Sequence, residues 1–374
     1  MTSIRLLKNG EEMFPAMYEA IEAARSCIAV EMYIIADDAT GREFRDHLVL
    51  AAGRGIPVSV LVDAVGSWQL PDVFWNILRE AGGTVRWFRP FRGGLFLFRN
   101  HRKLVLIDDH VAFIGGMNIA DEYYRGIAGG PPWRDNALQI TGMETARLRR
   151  SFERMWLRAE LPFRKKLRLS RNHAGHLTVS RRVRFLESGP EDPMHPVRRV
   201  YRQIVGNAVT SIDLAMSYFY PSGRMLRALR KAVERGVRVR LLFPQWSDVA
   251  IAKWAAQGLY GRLLKGGMEV WEYRLTMLHS KLAVADDTVI AGSANLDIRS
   301  GRINYELVAV VNDPEVSQKA RADFQDDLHH ANRILPDAWR ERTVVQKIKE
   351  RVSYWLLARL DVFLAKAEMS GKMR

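Results

Sequence analysis

The pattern His-x-Lys-x-x-x-x-Asp occurs twice in this chain, and each copy is followed by a glycine-rich tail that ends in asparagine. The first copy begins at His101 and reads HRKLVLIDDHVAFIGGMN. The second begins at His279 and reads HSKLAVADDTVIAGSAN. A repeat of this kind constrains the fold more than any other feature, because it indicates two similar structural units that share one core or one site. The repeated motif residues are His101, Lys103 and Asp108 in the first copy and His279, Lys281 and Asp286 in the second.

Each motif lies in a longer stretch of alternating strands and helices. In the first half, strands predicted over 25–35 and 56–63 flank a helix over 41–53, and the second half repeats this order. The alternation predicts an α/β fold with a largely parallel or mixed sheet in each half. The predicted units are a first half over 1–160, a basic linker over 161–190, a second half over 191–335 and an amphipathic helical tail over 336–374.

Each motif is expected to begin on a strand, His101 to Ile107 and His279 to Ala285, that turns at the Asp-Asp pair into a second strand. Side chains two residues apart lie on one side of a strand, so the histidine and lysine of a motif should share a face. If the halves meet across a pseudo-twofold axis, two imidazoles and two ammonium groups would face a single phosphorus atom.

This set of groups suits phosphoryl transfer, and we expect the six motif residues, with both aspartates included, to form one catalytic site. One histidine can attack phosphorus while the other protonates the leaving alcohol and then deprotonates the incoming one. The two lysines would neutralise phosphate oxygens in the transition state. A carboxylate bonded to the far ring nitrogen would set each imidazole tautomer. Asn118, Asn295 and Ser293 could bind phosphate oxygens or position the lysines. The sequence suggests neither a metal nor a cofactor.

The doubled motif with its G-S/G-x-N tail resembles the phospholipase D superfamily over nearly the whole chain. That resemblance implies two sandwich-like α/β halves related by pseudo-twofold symmetry, with the active site at their interface. It also implies a phosphohistidine intermediate, with His101 as nucleophile and His279 as general acid and base. The residues at family positions near the site are Glu31, Trp133, Asp135, Asp297, Arg299, Ser300, Asn304 and Glu306.

The motif flanks are similar to bacterial cardiolipin synthases of the short, B-like type. They include PWRDNALQITG after the first motif and GSANLDIRS followed by NYE after the second. This resemblance implies a transferase that joins two phosphatidylglycerols, or phosphatidylglycerol and another phospholipid, into cardiolipin. The predicted substrate-binding residues are Asn118, Gly116, Ser293, Asn295, Glu31 and Glu306. The motifs differ in one respect: Gly116 stands where the second copy has Ser293.

The composition favours an anionic partner. The net charge is +15, and 44 of the 57 basic residues are arginines, which bind phosphate bidentately; a GC-rich coding bias would also explain the arginines. Cys27 is the only cysteine, so a reducing compartment is expected. No apolar run reaches 18 residues and the N-terminus has no secretory h-region, so no transmembrane helix is expected. We expect peripheral contact with anionic phospholipids on the cytoplasmic side of the cell membrane, and nucleic acid as an unlikely partner.

Three segments could contact lipid, and each has an ordinary structural alternative. The aromatic and arginine-rich stretch over 85–100 is either an interfacial loop or a core strand with a turn. The basic stretch over 160–187 is either a solvated linker or a polybasic lipid surface. The apolar periodicity from Val345 to Phe363 predicts a helix that either packs on the body or lies on the membrane.

Three other functions stay open at this point. A phospholipase D hydrolase would use the same motifs with water as acceptor. A phosphodiesterase acting on DNA would also suit the basic charge. A non-enzymatic module for anionic membranes or nucleic acid would use the charge alone, and it leaves the two intact motifs unexplained.

Overall fold

The computed structural model describes residues 2–88, 98–160, 176–178 and 182–369; side chains are described in these ranges except over 176–178 and 358–369. The aromatic loop predicted near 85–100 and most of the predicted basic linker therefore lie outside the described residues. The elements of the first half are β1 (Ser3–Lys8), α1 (Asn9–Glu22), β2 (Ile28–Met32), α2 (Ala39–Gly53), β3 (Val58–Asp63), α3 (Asn76–Glu80), β4 (Thr84–Phe88), β5 (Leu104–Ile107), β6 (Val111–Gly115), α4 (Asp121–Tyr124), β7 (Asn136–Thr141) and α5 (Ala146–Glu160).

The second half repeats this order with additions at both ends. Its elements are β8 (His176–Thr178), β9 (Val183–Ser188), α6 (Pro196–Asn207), β10 (Ser211–Met216), α7 (Gly223–Glu234), β11 (Arg238–Pro244), α8 (Ala250–Lys265), β12 (Glu269–Tyr273), β13 (Lys281–Ala285), β14 (Thr288–Gly292), α9 (Ile298–Arg302), β15 (Glu306–Asn312), α10 (Pro314–His329), β16 (Ala331–Arg333), α11 (Pro336–Arg340) and α12 (Val344–Met369).

Each half forms one mixed sheet. The first has the strand order β1-β7-β6-β5-β2-β3-β4, and the second has the order β16-β12-β11-β10-β13-β14-β15-β9-β8. In both sheets the strands before the motif pair in parallel, as β2-β3-β4 and β10-β11-β12. The motif strands β5 and β13 then pair antiparallel with β2 and β10. The predicted α/β fold with two similar halves is confirmed.

The two sheets share one apolar core. Leu104 and Leu106 of β5 point into the same cluster as Leu282 and Val284 of β13, while the alternate residues of both strands face outward onto separate clusters covered by helices. This alternation explains why the motif strands are apolar after the motif lysines, over Leu104–Ile107 and 282–285: both of their faces are buried. The sheets therefore lie face to face between two outer layers of helices, and the ends of β5 and β13 meet between the halves.

The structure corrects two sequence predictions. The linker does not extend to residue 190, because Val183–Ser188 forms strand β9, which pairs with β15 inside the second sheet. The motif strands begin at Leu104 and Lys281, later than predicted, because the backbone at each motif histidine bonds across to the other half. Within the described residues, no helix has the length and apolar character needed to cross a bilayer.

Candidate active site

His101 is held by a carboxylate from the other half of the chain. Its backbone N–H donates to the carbonyl of Tyr305 at 3.0 Å. Its Nδ1 atom lies 3.1 Å from both carboxylate oxygens of Glu306, the next residue. Glu306 is fully buried at the start of β15. A histidine that donates from Nδ1 to a carboxylate presents its Nε2 lone pair on the opposite side of the ring.

His279 has the reciprocal arrangement. Its backbone N–H donates to the carbonyl of Arg134 at 2.8 Å, and its Nδ1 lies 2.8 Å from Oδ2 of Asp135, the next residue. Asp135 is fully buried just before β7. Arg134 also pairs with Asp327 of the second half at 2.8 Å, which fixes the segment that carries Asp135. Each motif histidine thus takes its orienting carboxylate from the opposite half.

The difference between Gly116 and Ser293 matches the difference between these two carboxylates. A Cβ atom at Gly116 would lie 2.4 Å from Oδ1 of Asp135, so a side chain there would displace the shorter carboxylate. At the equivalent place, the Ser293 hydroxyl donates to Glu306. We predicted both residues to bind substrate, but the structure places each against an orienting carboxylate. The asymmetry in sequence therefore preserves the symmetry of the two His–carboxylate pairs.

The motif lysines are buried beside the histidines, and each exposes 2% of its surface. The ammonium group of Lys103 donates to the carbonyl of His101 at 2.9 Å. That of Lys281 donates to the carbonyl of His279 and lies 2.8 Å from the His279 Nδ1 atom. Burial lowers the pKa of Lys103 to about 7, and the charge of Lys281 adds to this effect. Burial likewise lowers the pKa of Lys281 to about 8.

Both histidines are disposed to be neutral in the free protein. Burial lowers the pKa of His101, and the neighbouring Glu306 opposes the shift. Burial, followed by the charge of Lys281, lowers the pKa of His279 to about 4, although Asp135 opposes it. Burial tends to raise the pKa of Glu306, but His101 and Ser293 outweigh that effect and lower it.

One pocket of about 430 Å³ is lined by both histidines and both motif asparagines. Asn118 donates to the Tyr123 hydroxyl at 2.8 Å, and Asn295 accepts from Ser217 at 2.8 Å. Aromatic side chains surround the two imidazoles, and apolar residues form part of the lining. The aromatic residues of the pocket are Tyr33, Tyr123, Trp133, Tyr218 and Tyr220, and the apolar ones are Ile34, Ala120, Val249, Ala252 and Leu357.

The motif aspartates lie away from this pocket, whereas the ammonium groups of the motif lysines contact the motif histidines. This corrects the expectation that all six motif residues form one site. The carboxylate of Asp108 accepts from the backbone N–H groups of Arg25, Ser26 and Cys27, just before β2. Asp286 accepts in the same way from residues 209–211, just before β10. Both lie beyond the far ends of β5 and β13, about 16 Å along an extended chain from the motif lysines. Their contacts tie the motif hairpin to the neighbouring strand.

Both aspartates also adopt positive φ angles, 55° for Asp108 and 46° for Asp286. Aspartate tolerates this left-handed conformation better than most residues. The motif therefore specifies aspartate at these positions for turn geometry and for backbone capping.

Glu31 is also displaced from its predicted role. It is fully buried on β2, accepts from Asn100 at 2.8 Å and pairs with Arg102 at 3.1 Å. Burial raises the pKa of Glu31 to about 6. Glu31 does not line the pocket; it holds the two residues that flank His101.

Sequence reasoning placed Trp133 near the site, and its ring centroid lies 5.7 Å from that of His279, but it missed the tyrosines around the imidazoles. The ring centroids of Tyr33 and His101 lie 4.8 Å apart, and those of Tyr123 and His279 lie 5.3 Å apart. Tyr33 lies one residue after β2 and Tyr218 two residues after β10, so their place near the ends of equivalent strands was the one signal for them, although an exact alignment of the repeats does not pair them. Tyr123 gave no comparable signal. Within the described residues, no group of His, Cys, Asp and Glu side chains could hold a metal ion.

The sequence matches a family model described as a cardiolipin synthase, phospholipase D-like domain, over residues 17–156 and 201–328. The chain belongs to the phospholipase D-like cardiolipin synthase family. The two matched segments contain the two motifs, so both halves of the site lie within the family domain. The membership agrees with the geometry, in which each half supplies one histidine, one lysine and one orienting carboxylate.

Curated members of this family cover nearly all of the chain. It is 32% identical over 365 residues to cardiolipin synthase 1 of Bacillus anthracis, covering 93% of this chain and 71% of that protein. It is 35% identical over 358 residues to cardiolipin synthase A of Pseudomonas putida strain GB-1, with coverage of 94% and 73%.

Solved structures confirm the fold of this family member. It superposes on phosphatidylserine synthase of Haemophilus influenzae with a TM-score of 0.72 and 15% identity, covering 97% and 94% of the two chains. It also superposes on the polyphosphate kinase of Porphyromonas gingivalis with a TM-score of 0.60 and 15% identity, covering 98% of this chain and 53% of the kinase.

Proposed function

We propose that this protein is a cardiolipin synthase that transfers a phosphatidyl group between two phosphatidylglycerols through a phosphatidyl-histidine intermediate. One observation carries the proposal: His101 and His279 line one pocket, and each is oriented by a buried carboxylate from the opposite half. Two oriented imidazoles supply the nucleophile and the proton carrier that a two-step displacement needs. The family relatives described above carry cardiolipin synthase names, which supports the same activity.

In the first step, the Nε2 lone pair of His101 attacks the phosphorus of one phosphatidylglycerol. The bond from phosphorus to the headgroup oxygen breaks, that oxygen takes a proton from His279, and glycerol leaves. In the second step, a headgroup hydroxyl of another phosphatidylglycerol attacks phosphorus and gives its proton to His279. The phosphorus–nitrogen bond breaks, His101 regains its lone pair, and cardiolipin is released.

The proton carrier must be charged for the first step, although the pKa of His279 is about 4 in the free protein. Part of that lowering comes from Lys281, whose ammonium group contacts the ring. A bound phosphodiester places negative charge beside Lys103 and Lys281. It should therefore offset their repulsion of a protonated His279 and raise its pKa. In this mechanism the substrate itself prepares the general acid.

The proposed substrate sites follow from the lining of the pocket. Asn118 and Asn295 are placed to bind phosphate oxygens, together with the two lysines. Asp248, Asp297 and Asn304 also line the pocket, and their oxygens are suited to accept bonds from the hydroxyls of a glycerol headgroup. Gly116, Ser293 and Glu306 act through the orientation of the histidines rather than through direct substrate contact.

We also propose that α12 supports peripheral contact with an anionic membrane. Tyr354 and Leu357 pack on the cluster around Tyr220. In contrast, Val345, Ile348 and Trp355 are 74%, 57% and 54% exposed. The helix therefore packs on the body and also presents an apolar face beside the pocket that Leu357 lines. An apolar helix face bordered by basic residues is typical of interfacial binding.

Flotation with phosphatidylglycerol vesicles tests this contact. The double variant Val345→Ser with Ile348→Ser should bind vesicles more weakly than the parent. Leu50→Ser, which changes an exposed leucine on α2, should bind like the parent. Equal binding by all three proteins would contradict the contact. The cytoplasmic side of the membrane is proposed from the single cysteine alone.

The activity itself is tested with purified protein and phosphatidylglycerol labelled in its headgroup. We expect one free glycerol for each cardiolipin formed, with both products lost in His101→Ala and in His279→Ala. His110→Ala changes an exposed histidine in the motif hairpin and should keep full activity. Phosphatidic acid as the only lipid product would indicate a hydrolase, and DNA cleavage without lipid turnover would contradict the lipid substrate.

A further inference from the structure

A pocket rich in arginine lies in the second half, outside the His–carboxylate site. This arginine pocket has a volume of about 460 Å³, and none of the described residues that line it is acidic. Its side chains come from α6, α7, α9 and the turn before α6. The polar residues that line it are His195, Arg198, Arg199, Arg202, Arg224 and Arg302.

The arginines of this pocket have no acidic partners within the described part of the chain. None of the five forms an ion pair there, and the Nε atoms of Arg198 and Arg202 are buried without a hydrogen-bond partner. Burial, together with repulsion from Arg302 and the neighbouring arginines, lowers the pKa of Arg198. A protein that places like charges together without compensation gains stability when an anion binds among them.

An apolar cavity lies between the arginine pocket and the active site. This cavity of about 260 Å³ shares Arg198 and Arg302 with the arginine pocket, and it shares Asn295 and Asp297 with the histidine pocket. Its other lining residues are mostly apolar and include Val197, Tyr201, Pro221, Met225, Leu296 and Ile298. The three spaces therefore follow one another from the two histidines to the arginines.

We propose that the arginine pocket binds the phosphate of the second phospholipid, the one that accepts the phosphatidyl group, with an apolar part of that lipid in the connecting cavity. The proposal rests on the proposed function, because only a transfer between two phospholipids must hold two phosphate groups at once. The two motif lysines are occupied by the reacting phosphate. Arginine binds a non-reacting phosphate well, since its planar group offers paired donors and keeps its charge.

Binding can be measured without turnover. In the His101→Ala background, dihexanoyl-phosphatidylglycerol is titrated below its micelle concentration and followed by calorimetry. Adding Arg198→Gln and Arg302→Gln together should weaken binding at one site at least about tenfold, as expected for the loss of two charged hydrogen-bond donors. The control is Arg227→Gln, an exposed arginine of α7 that does not line the arginine pocket, and it should bind like its parent. Unchanged lipid binding in the double variant would overturn the proposal.

Two further measurements distinguish a lipid site from a site for free phosphate and from a purely structural role of the arginines. Inorganic phosphate should compete for the same site more weakly than the short-chain lipid. Equal affinity would show a site for free phosphate and would contradict the role of the cavity. Inorganic phosphate should also raise the thermal midpoint of the parent but not that of the double variant. If the arginines serve only the fold, both proteins will respond to phosphate equally.

These readouts separate the two proposals. If the parent forms no cardiolipin but the arginine double variant binds lipid more weakly, the proposed function is contradicted and the phosphate site stands. If the double variant forms cardiolipin at the parental rate, with the parental dependence on acceptor concentration, the proposed function stands and the proposed phosphate site is contradicted.

Discussion

Glu306 bonds the Nδ1 atom of His101 across the interface between the two halves, at 3.1 Å through both of its carboxylate oxygens. Asp135 bonds His279 in the opposite direction at 2.8 Å. Among the residues that the structure describes, each motif histidine takes its orienting carboxylate from the opposite half. The site therefore exists only when the two sheets pack together, which explains why one chain carries both motifs.

The exchanged carboxylates should control the rate of transfer. Glu306→Gln and Asp135→Asn should each lower kcat by about 10²–10⁴-fold, because the amide no longer stabilises the required tautomer and the imidazolium. KM should change much less, since neither side chain lines the pocket. Steady-state kinetics on phosphatidylglycerol measure both values. An increase in KM with kcat unchanged would contradict an orienting role.

The buried lysines predict an alkaline limit to activity. Their pKa values, about 7 for Lys103 and about 8 for Lys281, mean that the free protein loses both charges as pH rises through this range. Because both lysines must be protonated to attract the phosphodiester, kcat/KM should begin to fall above about pH 7 and fall more steeply above about pH 8. A pH profile of kcat/KM checks this. A value that stays constant to pH 10 would show that the lysine charges are not needed.

Gly116 should tolerate no side chain. In Gly116→Ala the new Cβ displaces the Asp135 carboxylate, so His279 loses its orientation and kcat should fall by about 10²-fold, the effect expected for a misplaced catalytic group. Gly53→Ala provides the control, because a Cβ there meets nothing within 4 Å. Assays of folded, purified variants compare the two. Equal activities would mean that Asp135 can shift without effect.

The motif aspartates should matter for stability rather than for chemistry. Asp286→Ala removes a carboxylate that accepts three backbone N–H groups, and it should lower the free energy of unfolding by about 1–3 kcal/mol. Asp287→Ala, at the exposed neighbour, should have little effect. Denaturant unfolding measures both. A stable Asp286→Ala protein without activity would return this residue to the catalytic set.

This effect should depend on pH in a defined direction. Burial tends to raise the pKa of Asp286, but the backbone N–H groups outweigh it and lower the pKa. The stabilisation is therefore present above the unfolded pKa of about 3.9 and is lost as pH falls through the lower folded value. The difference between parent and Asp286→Ala should disappear in strong acid.

The sequence predicted the fold and the catalytic groups better than it predicted which side chains contact those groups. The repeat and its strand–helix alternation were sufficient to predict two α/β halves, because apolar periodicity depends on residues that are close together in the sequence. The pairing of His101 with Glu306 spans 205 residues, and no local pattern specifies such a contact. The motif aspartates were misplaced for a related reason: spacing within a motif does not reveal which end of a strand faces the site.

The covalent intermediate tests the central claim most directly. A phosphatidyl ester of p-nitrophenol needs no acid to release its leaving group, so it should modify His101 once in the His279→Ala variant. The adduct should then persist, because no general base activates an acceptor. Mass spectrometry of the intact and digested protein should find one phosphatidyl group per chain, on His101, and none in His101→Ala. A lasting adduct on His279 of the His101→Ala variant, or no adduct on either histidine, would contradict the account.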